Sequence, residues 1–327
     1  MPKAVLCRKL GSPDDLVLEE VAPAPLGAGQ LRIAVHAAGI NFPDLLMIAG
    51  LYQHKPTLPF TPGLEAAGVV SEIASGAGAF AVGDRLMVQL RHGGYAEEVV
   101  VAAAQAMPLP EGFSFAEGAT FRAAYGTAYH ALVDGARLEA GETLLVHGAG
   151  GGVGLAAVEI GKLLGATVIA AASREAKLEV ARARGADHLV LYGSEPLRDA
   201  VKRLTGGVGA DVVFDPVGGT IFEDSLRAIA WGARVLVIGF TGGIGTARSN
   251  LLLIKGASVI GIRAGEAARR DPALRARLGA ALTRLTAAGH LRPHISHRLP
   301  LARWAEAMRL VAEREAIGRV ALVMRET

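Results

Sequence analysis

Residues 142–172 leave this chain little freedom in how it folds. An apolar run, Thr143-Leu-Leu-Val-His147, leads into a glycine-dense turn, Gly148-Ala-Gly-Gly-Gly-Val-Gly154. A helical pattern follows from Leu155 to Leu164, and a second apolar run covers Thr167–Ala172. Strand, glycine turn, helix and strand in this order form a dinucleotide-binding βαβ unit. One glycine allows the sharp turn, one lets backbone amides approach a pyrophosphate, and one lets helix and strand pack closely. The helix N-terminus then offers unpaired N–H groups and a positive dipole end to the phosphates.

At 327 residues the chain exceeds one hydrophobic core, so two domains are expected. A hydrophobic fraction of 51% with 20% charged residues describes a globular protein. The mean hydropathy of +0.35 comes from Ala, Val and Leu spread through the whole chain. No apolar stretch reaches the ~18 residues of a membrane span, and Met1–Leu6 lacks the pattern of a secretory signal. A soluble cytoplasmic protein is expected. The single cysteine, Cys7, excludes an intrachain disulfide and a cysteine-rich zinc site, and reads as a small core side chain. A net charge of +3 with no basic block interleaved with aromatics gives no nucleic-acid track.

Residues 1–110 read as short strands separated by Gly and Pro turns: Lys3–Cys7, Leu16–Glu20, Gln30–Ala38, Ala66–Ile73, Arg85–Val88 and Tyr95–Val101. A helical, small-residue pattern runs from Phe115 to Val133. After Thr143–His147 and Thr167–Ala172 come apolar runs at His188–Tyr192, Asp211–Phe214, Arg234–Gly239 and Ser258–Gly261. Helical stretches fall at Arg174–Arg184, Pro196–Leu204 and Gly219–Ile229. These runs fit a six-stranded, mostly parallel, doubly wound α/β sheet. Pro272–Ala288 and Leu301–Glu315 read as amphipathic helices and Gly318–Met324 as a closing strand, too little for a third domain. The expected division is therefore a discontinuous β-rich domain of residues 1–120 and 265–327 around a Rossmann-type domain of residues 121–264.

Several segments in order resemble the medium-chain dehydrogenase/reductase superfamily, and within it the zinc-independent quinone oxidoreductases related to zeta-crystallin. They are Gly39-Ile-Asn41-Phe42-Pro-Asp44, Pro62-Gly63-Leu64-Glu65-Ala-Ala-Gly68, Gly94-Tyr95-Ala96-Glu97 and Ala124-Tyr125-Gly126-Thr127-Ala128, with the glycine turn, Gly185-Ala186-Asp187 and Asp215-Pro-Val-Gly218-Gly219. The resemblance implies a GroES-like first domain. Asn41 and Leu64 stand where the zinc-containing branch places a cysteine and a histidine ligand, and no cysteine-rich loop is present. Three N, S or O ligands are the usual minimum for catalytic zinc. No metal is expected. His290, His294 and His297 are close in sequence, but Pro293 breaks any helix there and a strand would turn His294 and His297 to opposite faces.

The second strand of the βαβ unit ends in Ala170-Ala171-Ala172 and continues Ser173-Arg174-Glu175-Ala176-Lys177. NAD-selective sheets carry a carboxylate at that place. Ser173, Arg174 and Lys177 would instead attract a 2′-phosphate through charge-assisted hydrogen bonds, and the resemblance adds Tyr192 as a further contact. The alternative keeps Arg174 and Lys177 as solvated helix residues and turns Glu175 toward the ribose. NADPH is the expected cofactor. Ala149, Gly150, Gly151, Gly152 and Val153 form its diphosphate turn, with alanine at the first glycine position of the common pattern. By resemblance, the backbone at Gly239, Phe240 and Thr241 and at Gly261 and Ile262 lies beside the nicotinamide.

No nucleophile-and-base array is present, which suits hydride transfer, in which the cofactor carries the chemistry. Donors to the acceptor's carbonyl oxygen lower the barrier, and Asn41, Tyr52, Thr127 and Arg263 are the candidates. The resemblance places Asn41 and Tyr52 in the cleft from the first domain and Thr127 on the helix crossing between domains. It also gives Asn41 and Thr127 a part in positioning the cofactor. Against this, Asn41 could satisfy turn backbone, Tyr52 could pack at a loop base, Thr127 could bond back to a helix carbonyl, and Arg263 could pair with an acid. Glu65 reads as structural.

The expected activity is NADPH-dependent, zinc-free reduction of quinones by a homodimer, the dimer following from the resemblance, with the sheet edge near Gly239–Gly261 as its interface. One alternative is reduction of other α,β-unsaturated carbonyls: alkenals, enones or an enoyl thioester. A second is an NADPH-binding protein with little turnover, since fold alone does not establish catalysis. A zinc alcohol dehydrogenase is the third.

Overall fold

The computed structural model describes residues 1–325, which form two compact units. The first begins with a hairpin of β1 (Lys3–Leu6) and β2 (Val17–Glu20), followed by β3 (Gln30–Gly39), α1 (Phe42–Ile48), β4 (Glu65–Ile73), β5 (Arg85–Gln89), β6 (Glu98–Ala102), β7 (Ala106–Pro108) and α2 (Phe115–Gly118). β3 is the hub, pairing antiparallel with β4 and β6, and its alternate residues Leu31, Ile33 and Val35 are buried. Cys7 is buried beside them. α1 was not anticipated. It starts at Asn41 with Pro43 in its first turn, and Asp44 turns back to accept from the Asn41 amide.

The helix expected over Phe115–Val133 is broken into α2, α3 (Arg122–Tyr129) and a π-helical turn at His130–Gly135. Between α2 and α3 the backbone tightens to i→i−3 bonds, Thr120 N–H to the Glu117 carbonyl at 3.2 Å and Phe121 N–H to the Gly118 carbonyl at 3.5 Å. A side chain at Gly118 would strike Leu109, and the Thr120 hydroxyl bonds back to the Ala116 carbonyl, 2.8 Å away.

The second unit runs from Ala124 to Leu291. Its elements are β8 (Thr143–Val146), α4 (Gly152–Leu163), β9 (Thr167–Ala172), α5 (Glu175–Ala183), β10 (His188–Leu191), α6 (Leu197–Leu204), β11 (Ala210–Asp215), α7 (Gly219–Ala228), β12 (Ile229–Val237), α8 (Ser249–Lys255), β13 (Ser258–Gly261), α9 (Ala264–Arg270) and α10 (Pro272–Ala287). The strands form the expected six-stranded sheet, all parallel, in the order β10-β9-β8-β11-β12-β13. Leu144–Val146, Val168–Ala171 and Val212–Phe214 are wholly buried, as strands covered on both faces require. The order reverses between β8 and β11, which makes the C-terminal ends of these strands the binding crevice of such a sheet.

The chain returns to the first unit at Arg292, where the sequence suggested residue 265. The reason is α10, which buries Leu274, Leu278, Ala281 and Leu282 in the second unit and sets Arg277 against Asp134. β14 (Ile295–Pro300), α11 (Trp304–Ala312) and β15 (Arg319–Val323) then complete the first unit. β15 pairs with β3, so the first sheet needs both ends of the chain.

Candidate functional site

Because all strands of the second unit are parallel, the ends of β8, β9, β12 and β13 lie along one edge of its sheet. The glycine turn follows β8. Gly148 takes a left-handed φ of 55°, its carbonyl accepts from the Gly151 amide at 2.9 Å, and Gly151 is the N-cap of α4. No side chain caps α4, so its first amides keep their donors for a ligand. The glycines are sterically required. A Cβ on Gly154 would lie 2.3 Å from the Gly148 carbonyl oxygen, and one on Gly150 would lie 2.4 Å from Cβ of Lys177. The cradle fits a dinucleotide's diphosphate, and neither Gly150 nor Gly154 has room for a side chain.

Ser173 is exposed just beyond β9, and Arg174, half-buried, is the N-cap of α5. Lys177 is mostly buried, its stem lying against Gly150. The Tyr192 hydroxyl turns inward, 2.9 Å from Nδ1 of His147 and accepting from the Gly148 amide at 3.1 Å. Gly239, Phe240 and Thr241 follow β12, and the Thr241 hydroxyl donates to the Pro216 carbonyl. Gly261 ends β13, Ile262 is buried, and Arg263 is exposed at the N-terminus of α9 without an ion pair among the described residues. Thr127 is half-buried on α3. Its hydroxyl makes no bond back to the helix, unlike that of Thr120. Thus the edge gathers every cofactor residue expected from the sequence except Asn41 and Thr127.

In the first unit Asn41 sits in a buried polar cluster. Its amide nitrogen donates to Glu65 Oε1 at 3.0 Å and to the Gly39 carbonyl at 3.3 Å, while its Oδ1 accepts from Arg319 at 3.0 Å. Arg319 is ion-paired with Glu65, whose other oxygen accepts from the Ala123 amide at 3.0 Å. Nε of Arg319 is buried without a partner. Both amide hydrogens of Asn41 are therefore taken. Tyr52 is half-buried beyond α1, and its hydroxyl makes no hydrogen bond to the described residues. Nearby on α1, Ile48 is buried in the core and Leu46 is partly exposed.

Asp44, absent from the expected site, is fully buried below Asn41. Its carboxyl accepts from the Tyr95 hydroxyl at 2.7 Å, the Asn41 amide at 2.8 Å and the Gly63 amide at 3.2 Å. Burial pushes its pKa up to about 7, the three hydrogen bonds opposing and the Glu65 charge reinforcing that shift. The folded pKa lies above the unfolded one, so the stability this group contributes is full below about pH 4 and is lost as pH rises through about 7. Wild type is thus expected to lose roughly 2 kcal/mol more than Asp44→Asn between pH 5 and pH 7. Parallel urea-midpoint curves for the two proteins would refute the assignment.

Among the described residues no group of three His, Cys, Asp or Glu side chains could hold a metal ion, and no helix is long and apolar enough to cross a membrane.

Residues 27–111 match the family described as alcohol dehydrogenase GroES-like domain, and residues 152–278 match the family described as zinc-binding dehydrogenase. Quinone oxidoreductase-like protein 2 of Rattus norvegicus is 38% identical over 325 residues, covering 99% of this chain and 92% of the relative. The crystal structure of Escherichia coli quinone oxidoreductase complexed with NADPH superposes with a TM-score of 0.91 at 29% identity, covering 98% of this chain and 99% of that one. The crystal structure of CurK enoyl reductase gives 0.90 at 27% identity, covering 99% of each chain.

Proposed function

This chain belongs to the medium-chain dehydrogenase/reductase family of oxidoreductases, among its quinone oxidoreductase-like members, and from that premise we propose that it is an NADPH-dependent, zinc-independent reductase of quinones. One observation carries the cofactor part: an uncapped glycine turn stands beside a strand end bearing Ser173, Arg174 and Lys177, with no carboxylate at the strand end itself.

When bound, the reduced nicotinamide supplies hydride. The amides at the start of α4 hold the diphosphate, helped by the helix dipole. Ser173 donates to a 2′-phosphate, and Arg174 and Lys177 supply positive charge. Backbone at Gly239–Thr241 and Gly261–Ile262 would lie beside the nicotinamide. Donors to the acceptor's carbonyl oxygen lower the barrier as charge builds there, and the uncommitted hydroxyls of Tyr52 in the first unit and Thr127 in the second are each a candidate. Asn41 could donate only by giving up Glu65 or Gly39, so we assign it an orienting part. Arg263 adds positive charge without a direct bond. The homodimer belongs to the same proposal: β13 is an edge strand, and Trp231, Leu253 and Ile254 beside it on β12 and α8 are exposed.

Thr127→Val and Tyr52→Phe are each expected to lower kcat about tenfold, the equivalent of one lost hydrogen bond. Their urea midpoints should match wild type. Unchanged kcat in both variants would remove the donor assignment.

The function itself is tested by nucleotide oxidation with NADPH and NADH across a panel of quinones and enones, in the presence of chelator. Chelator-resistant turnover favouring NADPH is expected. Tight NADPH binding with no turnover on any acceptor overturns the enzymatic reading and leaves a nucleotide-binding protein. A best rate on enones in place of quinones would move the substrate class to α,β-unsaturated carbonyls, a reading the similarity to an enoyl reductase favours.

A further inference from the structure

α3 is a short helix between two irregular segments, the tightened backbone at Thr120 and Phe121 and the π-helical turn at His130–Gly135. Neither neighbour continues its i→i−4 ladder, so side-chain contacts set its roll about its own axis. The face it buries consists of Ala124, Tyr125 and Ala128. Two of these are alanines, which make no directional contact. Tyr125 does. Its hydroxyl donates to Oε2 of Glu159 at 2.6 Å. Tyr125 is 2% exposed and Glu159 7%, so this charge-assisted bond lies where water competes little.

Glu159 is out of place by composition. Residues Gly154–Gly161 of α4 are all buried, and Glu159 is the only charged one among them. Burying a carboxylate is costly unless its oxygens are bonded. Here Tyr125 donates to Oε2, and Arg184, the C-cap of α5, donates to Oε1 at 2.5 Å. One buried carboxylate therefore ties Tyr125 of α3 to α4 and to the end of α5, all within the second unit. Thr127 stands two residues beyond Tyr125, about 200° around the helix, on the half-buried side.

We propose that Tyr125 and Glu159 are positioning residues for the Thr127 hydroxyl: their buried hydrogen bond sets the roll of α3 and so the direction in which Thr127 points. The proposal rests on the reading of Thr127 as a donor in the reduction. Tyr125 and Glu159 lie in the core and act through Thr127.

The test is a double-mutant cycle on the full chain. Tyr125→Phe keeps the ring and its packing and deletes only the hydroxyl. Its kcat is expected to fall about fivefold, somewhat less than the loss on removing the Thr127 hydroxyl itself. In a Thr127→Val background the same substitution should change kcat by less than about twofold, because the group it positions is gone. A merely structural role would lower kcat by the same factor in both backgrounds. Equal factors overturn the proposal, as does an unchanged kcat for Tyr125→Phe alone. Glu159→Met removes the same bond from its other end and should repeat the pattern, so the cycle still decides if Tyr125→Phe does not fold. A second readout needs neither nucleotide nor turnover. In threonine-labelled protein the Thr127 methyl signal, assigned by its loss in Thr127→Val, should shift in Tyr125→Phe while those of Thr143 and Thr167 on β8 and β9 stay in place. A Thr127 methyl that moves no more than those two overturns the proposal. Wild type without turnover on any acceptor removes the functional reading of Thr127, and the methyl shift still decides whether Tyr125 sets its direction.

Discussion

Glu65→Gln is expected to lower the stability of the first unit by roughly 3–5 kcal/mol, the usual cost of removing one partner of a buried ion pair. The Glu65 side chain is 1% exposed and that of Arg319 10%. Both carboxylate oxygens face donors: Arg319 and the Asn41 amide on one, the Ala123 N–H on the other. Whichever oxygen becomes NH₂ meets a donor head-on, and the guanidinium, whose Nε already lacks a partner, loses its counter-charge. The fluorescence of Trp304, packed in this unit with its indole N–H on the Pro13 carbonyl, follows the transition when both proteins carry Trp231→Phe, which removes the tryptophan at the proposed dimer edge. A clear drop in urea midpoint is expected. Glu65→Gln/Arg319→Met, which removes both charges, should recover most of it. A midpoint for Glu65→Gln within error of wild type would show that the pair contributes nothing.

The polar cluster around Asn41 was not legible in the sequence, and the reason is distance along the chain. Arg319 and Glu65 are 254 residues apart, and no local pattern announces that β15 returns to lie against β3. The second unit is the opposite case. Strands buried on both faces appear as unbroken apolar runs, and the glycine turn sits between two of them, so β8, α4 and β9 could be placed almost to the residue. Short elements fared worse. α1 is signalled by an Asn cap, a proline and Asp44, yet its seven residues are too few to show a helical period. The break between α2 and α3 is a local tightening to i→i−3 bonds at Thr120 and Phe121, which periodicity does not report. Tyr192 shows the same limit at atomic scale. Its position at the end of β10 is readable, but the approach of its hydroxyl to His147, itself bonded to Ser225 78 residues further on, is not.

Ser173→Asp is expected to reduce kcat/KM with NADPH about 100-fold and to leave the value with NADH unchanged or raised. Ser173 is the first residue past β9, whose last residue is Ala172, so the substitution puts a carboxylate where NAD-selective sheets carry one. Against the two negative charges of a 2′-phosphate the repulsion amounts to about 2–3 kcal/mol in a partly solvated setting, hence the factor of about 100. NADH carries a hydroxyl there, to which a carboxylate is a good acceptor. Salt separates this from a distorted turn. Ser173 is exposed, so raising ionic strength screens the new charge and should restore part of the NADPH rate, whereas a damaged diphosphate cradle would stay impaired with both nucleotides at any salt. Equal loss for NADPH and NADH, insensitive to salt, would mean that the end of β9 does not choose the cofactor, and the assignment of Arg174 and Lys177 to a 2′-phosphate would fall with it.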